Sequence, residues 1–142
     1  TDHGESFNDN GANYWGHGSS FSQYQVKVPL ILYVPDRKPA QYEYRTSHID
    51  IAPTLLREYF GCSSDFDIYS SGGSLFDEQT SPRSLVINSY VNYAYVFGED
   101  VYEIWPTHTR KHKLHDVNEK ASPLDPTLLK GIVEKLNRFM DD

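Results

Sequence analysis

The sequence predicts an α/β fold, and three observations carry that prediction. Residues Leu30 to Val34 form an unbroken apolar run between Pro29 and Pro35, the pattern of a parallel-type strand buried on both faces. Residues Ile51 to Phe60 repeat apolar side chains at four-residue spacing ahead of Gly61, the pattern of a short helix. Residues 84–105 hold three short β-rich runs, and an amphipathic segment follows near the C-terminus, which together predict a small antiparallel sheet and a closing helix.

At 142 residues, the chain suits one domain that buries a real core, and it reads as a single unit. Hydrophobic residues make up 38%, charged residues 23% and aromatics 14%, which excludes a disordered chain, a collagen-like repeat and a coiled coil.

Residues 1–25 carry Asp2, Glu5 and Asp9, no Lys or Arg, and many Gly, Asn and Ser, so a long loop is expected there. Pro29 then sits at the entry of the apolar run and Pro35 at its exit. Asp36 to Tyr44 is polar and reads as a loop. Asp50 is the expected N-cap of the helix, because it places Pro53 in the first turn, where a missing N–H costs nothing. Gly61 suits the left-handed position past the helix end.

From Cys62 to Pro82 the chain is rich in Ser, Gly and Asp, with Gly72-Gly73-Ser74-Leu75-Phe76 as a connection. Ser84–Tyr90, Tyr93–Phe97 and Val101–Trp105 are the β-rich runs, with Gly98-Glu99-Asp100 as the turn between the last two and His112–Val117 as a candidate fourth strand. Asp125 and Pro126 open the closing helix, whose apolar face is Leu128, Leu129, Ile132, Val133, Leu136 and Phe139, running to about Met140.

Thirteen Lys+Arg against twenty Asp+Glu gives a net charge of −7, which disfavours a general electrostatic grip on nucleic acid or anionic lipid and leaves room only for a local basic patch. The single cysteine, Cys62, excludes an internal disulfide and a Cys-based zinc cluster, and reads as a partly buried spectator. No apolar run approaches the roughly 20 residues that span a bilayer, so any anchor is expected outside these residues.

The informative chemistry lies in Asp2-His3-Gly4-Glu5 and Tyr14-Trp15-Gly16-His17-Gly18. Adjacent side chains on a regular strand point to opposite faces, so Asp2 and His3 share one ion only if the backbone bends, and Gly4 makes that bend cheap. A carboxylate oxygen and an imidazole nitrogen suit Zn²⁺ or Mn²⁺, and His17 between two glycines could return to the same pocket. Each tripeptide alone reads more simply as a turn. Glu5 is open between a hydrogen-bond partner of His3 and a solvated acid; His48 and Asp50 read as structural. Thr107–His115 gathers three His and three basic residues, either a solvated hairpin turn or a patch for anionic head groups. The tyrosines at 90, 93, 95 and 102 follow strand propensity and are expected in sheet packing.

Taken in order and spacing, Thr1-Asp2-His3-Gly4-Glu5, Trp15-Gly16-His17-Gly18, Val28-Pro29-Leu30-Ile31-Leu32 and His48-Ile49-Asp50-Ile51-Ala52-Pro53-Thr54-Leu55-Leu56 resemble the C-terminal part of a sulfatase-like protein of the alkaline phosphatase superfamily. The resemblance covers about the first 61 residues well and the rest loosely, through Gly73-Ser74-Leu75-Phe76. Among branches it is most similar to the YejM (PbgA) inner-membrane sulfatase-like proteins, with lipoteichoic-acid synthases and phosphoethanolamine transferases next.

The resemblance implies the C-terminal portion of a sulfatase-like sheet: a metal loop, buried strand and helix in residues 1–61, then the small sheet and closing helix in 62–142. It implies a divalent metal (Zn, Mn, Mg or Ca) on Asp2 and His3, a catalytic His17, and a sulfate or phosphate ester as substrate, lipid-linked in some branches. It implies a periplasmic location in a bacterial inner-membrane protein. The nucleophile (Ser, Thr or a modified Cys) and an acidic ligand are expected upstream of Thr1, so the partner is the preceding part of the same domain and these residues alone turn nothing over. An apolar edge at Leu30–Val34 without that part is expected to self-associate. A non-catalytic module that binds anionic lipid or a protein partner in envelope regulation is the alternative.

Overall fold

A computed structural model of the chain describes residues 1–18, 20–78, 83–116 and 125–138. The chain forms two compact units, Thr1–Ile31 with Ser84–Asp142, and Leu32–Arg83.

The first unit is built on a four-stranded antiparallel meander, β3 (Ser84–Asn88), β4 (Tyr93–Phe97), β5 (Asp100–Ile104) and β6 (Thr109–Lys113), in that spatial order. The register pairs Leu85 with Val96, Val96 with Val101, and Val101 with His112, so these side chains share one face. That face buries Ala94, Val96, Val101 and Leu114 against Phe21, with Val26, Leu85 and Ile87 at its margin. Each fully buried Val or Phe contributes roughly 1.5–3 kcal/mol of transfer free energy, which makes this cluster the main stabiliser of the unit. The opposite face carries Tyr95 and Tyr102, ring centroids 6.3 Å apart, with the Lys111 and Lys135 ammonium groups over them. Tyrosine thus packs on the sheet as strand propensity predicts, except Tyr90, which lies in the β3–β4 turn and is exposed.

Two short elements precede the meander. Residues 1–25 are not all loop: β1 (Ser6–Phe7) and β2 (Trp15–Gly16) pair antiparallel, and α1 (Gln23–Val26) makes one turn. The Gln23 N–H donates to the Leu114 carbonyl at 2.8 Å and so ties α1 to the end of β6. β6 itself begins three residues before the expected His112 and ends at Lys113. The tight turn is confined to 105–108, closed by Trp105 N–H to the His108 carbonyl, so most of the basic segment is strand. Residue 117 and the expected helix end at Phe139 and Met140 lie outside the described residues. α3 (Pro126–Asn137) starts where predicted, with the Asp125 carboxylate accepting from the Thr127 N–H at 2.7 Å and Pro126 in the first turn. Ile132 is its buried residue, while Val133 stays exposed.

The second unit centres on α2 (Ile51–Phe60), closed by Gly61 at φ 66°. Asp50 caps differently from the simple expectation. It closes a capping box with Ser47 over the 3-10 turn His48–Asp50, its carboxylate accepting from Ser47 N–H (2.7 Å), Gly73 N–H (2.9 Å) and the Arg83 guanidinium (2.5 Å). Thr54 continues the clamp, donating to the Asp50 carbonyl and accepting from Leu75 N–H. Arg57 grips Asp77 through both guanidinium nitrogens, which holds the Asp77 carboxyl below its ordinary range. The helix buries Pro53 and Thr54, whereas Leu55, Leu56, Tyr59 and Phe60 remain exposed.

The apolar run does not form the expected buried strand. Leu30–Val34 has no assigned secondary structure, Ile31 is 93% and Tyr33 86% exposed, and a turn at Pro35-Asp36 ends it. A strand is defined by its ladder, and among the described residues no strand pairs with this run. The fold class nevertheless stands as mixed α/β, with a four-stranded antiparallel sheet, a two-stranded sheet and a closing helix.

Candidate functional site

Gly4 controls the geometry of the N-terminal segment. Its N–H donates to the Gln25 carbonyl at 2.8 Å, and a Cβ there would stand 2.0 Å from the Tyr24 carbonyl oxygen, so no other residue permits this approach. The Thr1 hydroxyl donates to the His3 carbonyl at 2.9 Å. His3 Nε2 lies 3.6 Å from Asp2 Oδ2. His3 Nδ1 faces the Gly4 carbonyl at 3.0 Å, an acceptor, so that nitrogen carries the proton and Nε2 keeps a lone pair in the neutral ring. Two tetrahedral ligands about 2.1 Å from one ion stand about 3.4 Å apart, so the Asp2–His3 spacing fits a shared cation. The Asp2 carboxyl is held below its ordinary value by its own backbone N–H and by the charge of His3.

The β1–β2 hairpin delivers the second histidine. Its loop is shaped by Asn8, Gly11 and Asn13 at positive φ and closed by Asn8 N–H to the Tyr14 carbonyl and Asn13 N–H to the Asn8 side chain. The Tyr14 hydroxyl donates to the His17 carbonyl at 3.0 Å. The hairpin carries the His17 ring against His3, with centroids 4.4 Å apart and planes 27° from parallel. Nitrogen lone pairs lie in the ring plane, so stacked rings project them side by side. His17 is therefore a direct neighbour of the Asp2–His3 pair. His17 Nδ1 donates to Glu5 Oε2 at 2.9 Å, which settles the open reading of Glu5: its partner is His17, not His3. This leaves His17 Nε2 as the outward nitrogen. Among the described residues, no group of three or more His, Cys, Asp or Glu is placed to hold a metal ion.

Gln25 went unnoticed in the sequence and organises the site. Only 5% exposed, it donates to the Ser6 hydroxyl (2.9 Å) and the Gly16 carbonyl (3.1 Å) and accepts from the Gly18 N–H (3.1 Å). One amide thus pins both hairpin strands and the residue after His17. The Ser89 hydroxyl donates to the Gly18 carbonyl, and the Tyr90 ring lies where a Gly18 Cβ would be. The one signal available was a polar residue inside an otherwise amphipathic turn.

The other sequence candidates fall elsewhere. His48 and Asp50 belong to the second unit's capping turn. The basic segment is paired internally: Lys111 and Lys113 with Asp100 (3.4 and 2.5 Å), Arg110 with Glu103 (3.9 Å), His115 with Glu99 (3.8 Å), while His108 stacks on Trp105. Cys62 is free and half-buried. No helix among the described residues is long and apolar enough to cross a membrane.

Residues 1–58 match the Sulfatase family model. The match takes in the Asp2–Glu5 segment, the His17 hairpin, the apolar run and most of α2. It supports a sulfatase-type stretch of the alkaline phosphatase superfamily. No curated protein and no solved structure matches the chain.

Proposed function

We propose that Asp2, His3 and His17 form one side of the active site of a metal-dependent hydrolase or phosphotransferase that acts on sulfate or phosphate esters. The observation that carries this reading is the 3.6 Å approach of His3 Nε2 to Asp2 Oδ2, with Nδ1 engaged elsewhere, inside the stretch that matches the Sulfatase family model. Asp2 and His3 would hold a divalent cation, which when bound polarises an ester oxygen and lowers the pKa of a nucleophile. The donor pair, one carboxylate and one imidazole, suits Zn²⁺ or Mn²⁺ better than Ca²⁺.

His17 has the freedom that the other two lack. With Nδ1–H fixed on Glu5, its Nε2 can accept a hydrogen bond in the neutral ring or, protonated, donate to an anionic ester oxygen or a leaving oxygen. The nucleophile and further ligands would be supplied by another part of the same domain, for which the exposed Leu30, Ile31, Leu32 and Tyr33 offer a contact surface. A periplasmic place in a bacterial inner-membrane protein of the YejM type, and a lipid-linked ester, belong to the same proposal and rest on the resemblance. The lipid-binding alternative is less favoured, because the cations of residues 110–113 are already paired with Asp100 and Glu103.

The test is turnover of aryl sulfate and aryl phosphate by the intact protein and its His17→Ala and Glu5→Gln variants. His17→Ala should lose at least tenfold in kcat/KM and Glu5→Gln should lose less; unchanged turnover in His17→Ala contradicts the proposed role of His17.

A further inference from the structure

The first unit buries a histidine that the proposed reaction does not use. His112 is fully enclosed in β6, opposite Val101, with Leu114 and Phe21 in the same apolar cluster. Its ring is flanked by acceptors on both sides: Nδ1 lies 2.8 Å from the Lys113 carbonyl and Nε2 lies 2.8 Å from Glu103 Oε1. A neutral imidazole has one N–H and cannot donate at both positions. Glu103 is itself nearly buried, with Oε2 accepting from the Trp105 indole N–H at 3.0 Å. The arrangement is satisfied only if a proton occupies the space between Nε2 and Oε1.

Among the described residues, the charged groups around the pair are few. Glu103 faces it from β5, and Arg110 on β6 lies 3.9 Å from Glu103 Oε1. Opposite Glu103 on β4 is Ala94, and the segment packed over this face contributes Phe21 and Val26, none of them charged. Burial opposes ionisation of Glu103, but the hydrogen bonds from His112 and Trp105, aided by Arg110, outweigh it and keep the carboxyl below its ordinary value. With a carbonyl facing Nδ1 and a carboxylate oxygen facing Nε2, both ring nitrogens of His112 are placed as donors.

The position of the pair gives it reach. Two residues beyond His112, the Leu114 carbonyl receives the Gln23 N–H, and Gln23 opens the turn in which Gln25 holds Ser6, Gly16 and Gly18. We propose that His112 and Glu103 form a buried proton lock, which keeps the end of β6, the α1 turn and the His17 loop assembled while His112 is protonated and releases them when that proton leaves. Loss of the proton sets a lone pair against a carboxylate in a site that water does not reach, and the relief is opening of the strand end.

The experiment uses the 142-residue chain with ¹⁵N-labelled histidine. At pH 7 both ring nitrogens of His112 should read as protonated. As pH rises through the loss of that proton, amide protection at Gly18 and Gln23, corrected for intrinsic exchange, should fall about tenfold per pH unit, the slope for one proton. Glu103→Gln should flatten this dependence, because its amide N–H₂ can donate to a neutral Nε2 while its oxygen still accepts from Trp105. An unprotonated Nε2 at pH 7 in the unaltered chain overturns the proposal without any variant. So does protection at Gly18 and Gln23 that ignores the transition, or a Glu103→Gln chain that keeps the full slope.

Discussion

Replacing Gln25 by Leu removes three hydrogen bonds at once and leaves the Gly18 N–H, the Gly16 carbonyl and the Ser6 hydroxyl without their partner. Each bond contributes about 1 kcal/mol net, and each polar group left buried and unpaired adds to the cost, so a rigid loop would lose on the order of 3–6 kcal/mol. The loop has an escape, because opening the hairpin returns those groups to water. The expected loss is therefore nearer the low end, about 3 kcal/mol, with His17 freed from its stack on His3. Gln25→Glu separates the contributions: its carboxylate can still accept from Gly18 but cannot donate to Ser6 or Gly16, and it brings a charge into a 5% exposed position. It should be at least as destabilising as Leu. Urea unfolding gives the free energies, and the His17 ring signals report the loop. A loss below about 0.5 kcal/mol for Gln25→Leu, with unchanged His17 signals, refutes the assignment of Gln25 as the organiser of the site.

Three further outcomes follow from the same structure. Gly4→Ala sets a Cβ 2.0 Å from the Tyr24 carbonyl, so it should cost about 2–4 kcal/mol by thermal unfolding and displace His3; a neutral Ala variant contradicts the close approach. Asp100 is held below its ordinary value by Lys113, against the cost of burial and with help from Lys111, so its contribution is complete above the unfolded carboxyl pKa of about 3.9 and disappears as pH falls through the depressed folded value. Asp100→Asn should therefore shallow the acid limb of a stability–pH curve and leave its slope near neutrality unchanged; an unaltered acid limb rejects the pairing. The exposed Leu30–Val34 run should drive concentration-dependent association by sedimentation velocity, abolished by Ile31→Lys; a monomer at high concentration in the unaltered chain counts against an edge there.

Local chemistry made several elements legible. The four-residue spacing and Gly61 place α2, Asp125 and Pro126 place the start of α3, and β-branched and aromatic runs around Gly98 place β3 to β5 within a residue or two. What escaped depends on distant partners. β1 and β2 are two residues each, too short for alternation to register. Leu30–Val34 has the composition of a central strand, but composition carries no information about whether a neighbouring strand is present. β6 began earlier than its apolar content suggested, because Arg110 pairs with Glu103 in the register and His112, opposite Val101, reaches the same carboxylate diagonally.

The candidate site shows the same division. Asp2, His3 and His17 stood out by residue type, and the fold places the His17 ring 4.4 Å from His3. The preference of Glu5 for His17 and the clamp at Gln25 are products of the hairpin register, which pairs Ser6 with Gly16. A register is a property of two strands, and neither strand alone announces it.

The most direct test of the account is metal content of the intact protein beside its Asp2→Ala and His3→Ala variants, purified together and measured after removal of loosely held ions. One equivalent of divalent metal in the unaltered protein, falling at least tenfold in both variants, is the predicted result; equal metal in all three would contradict a cation shared by these two side chains.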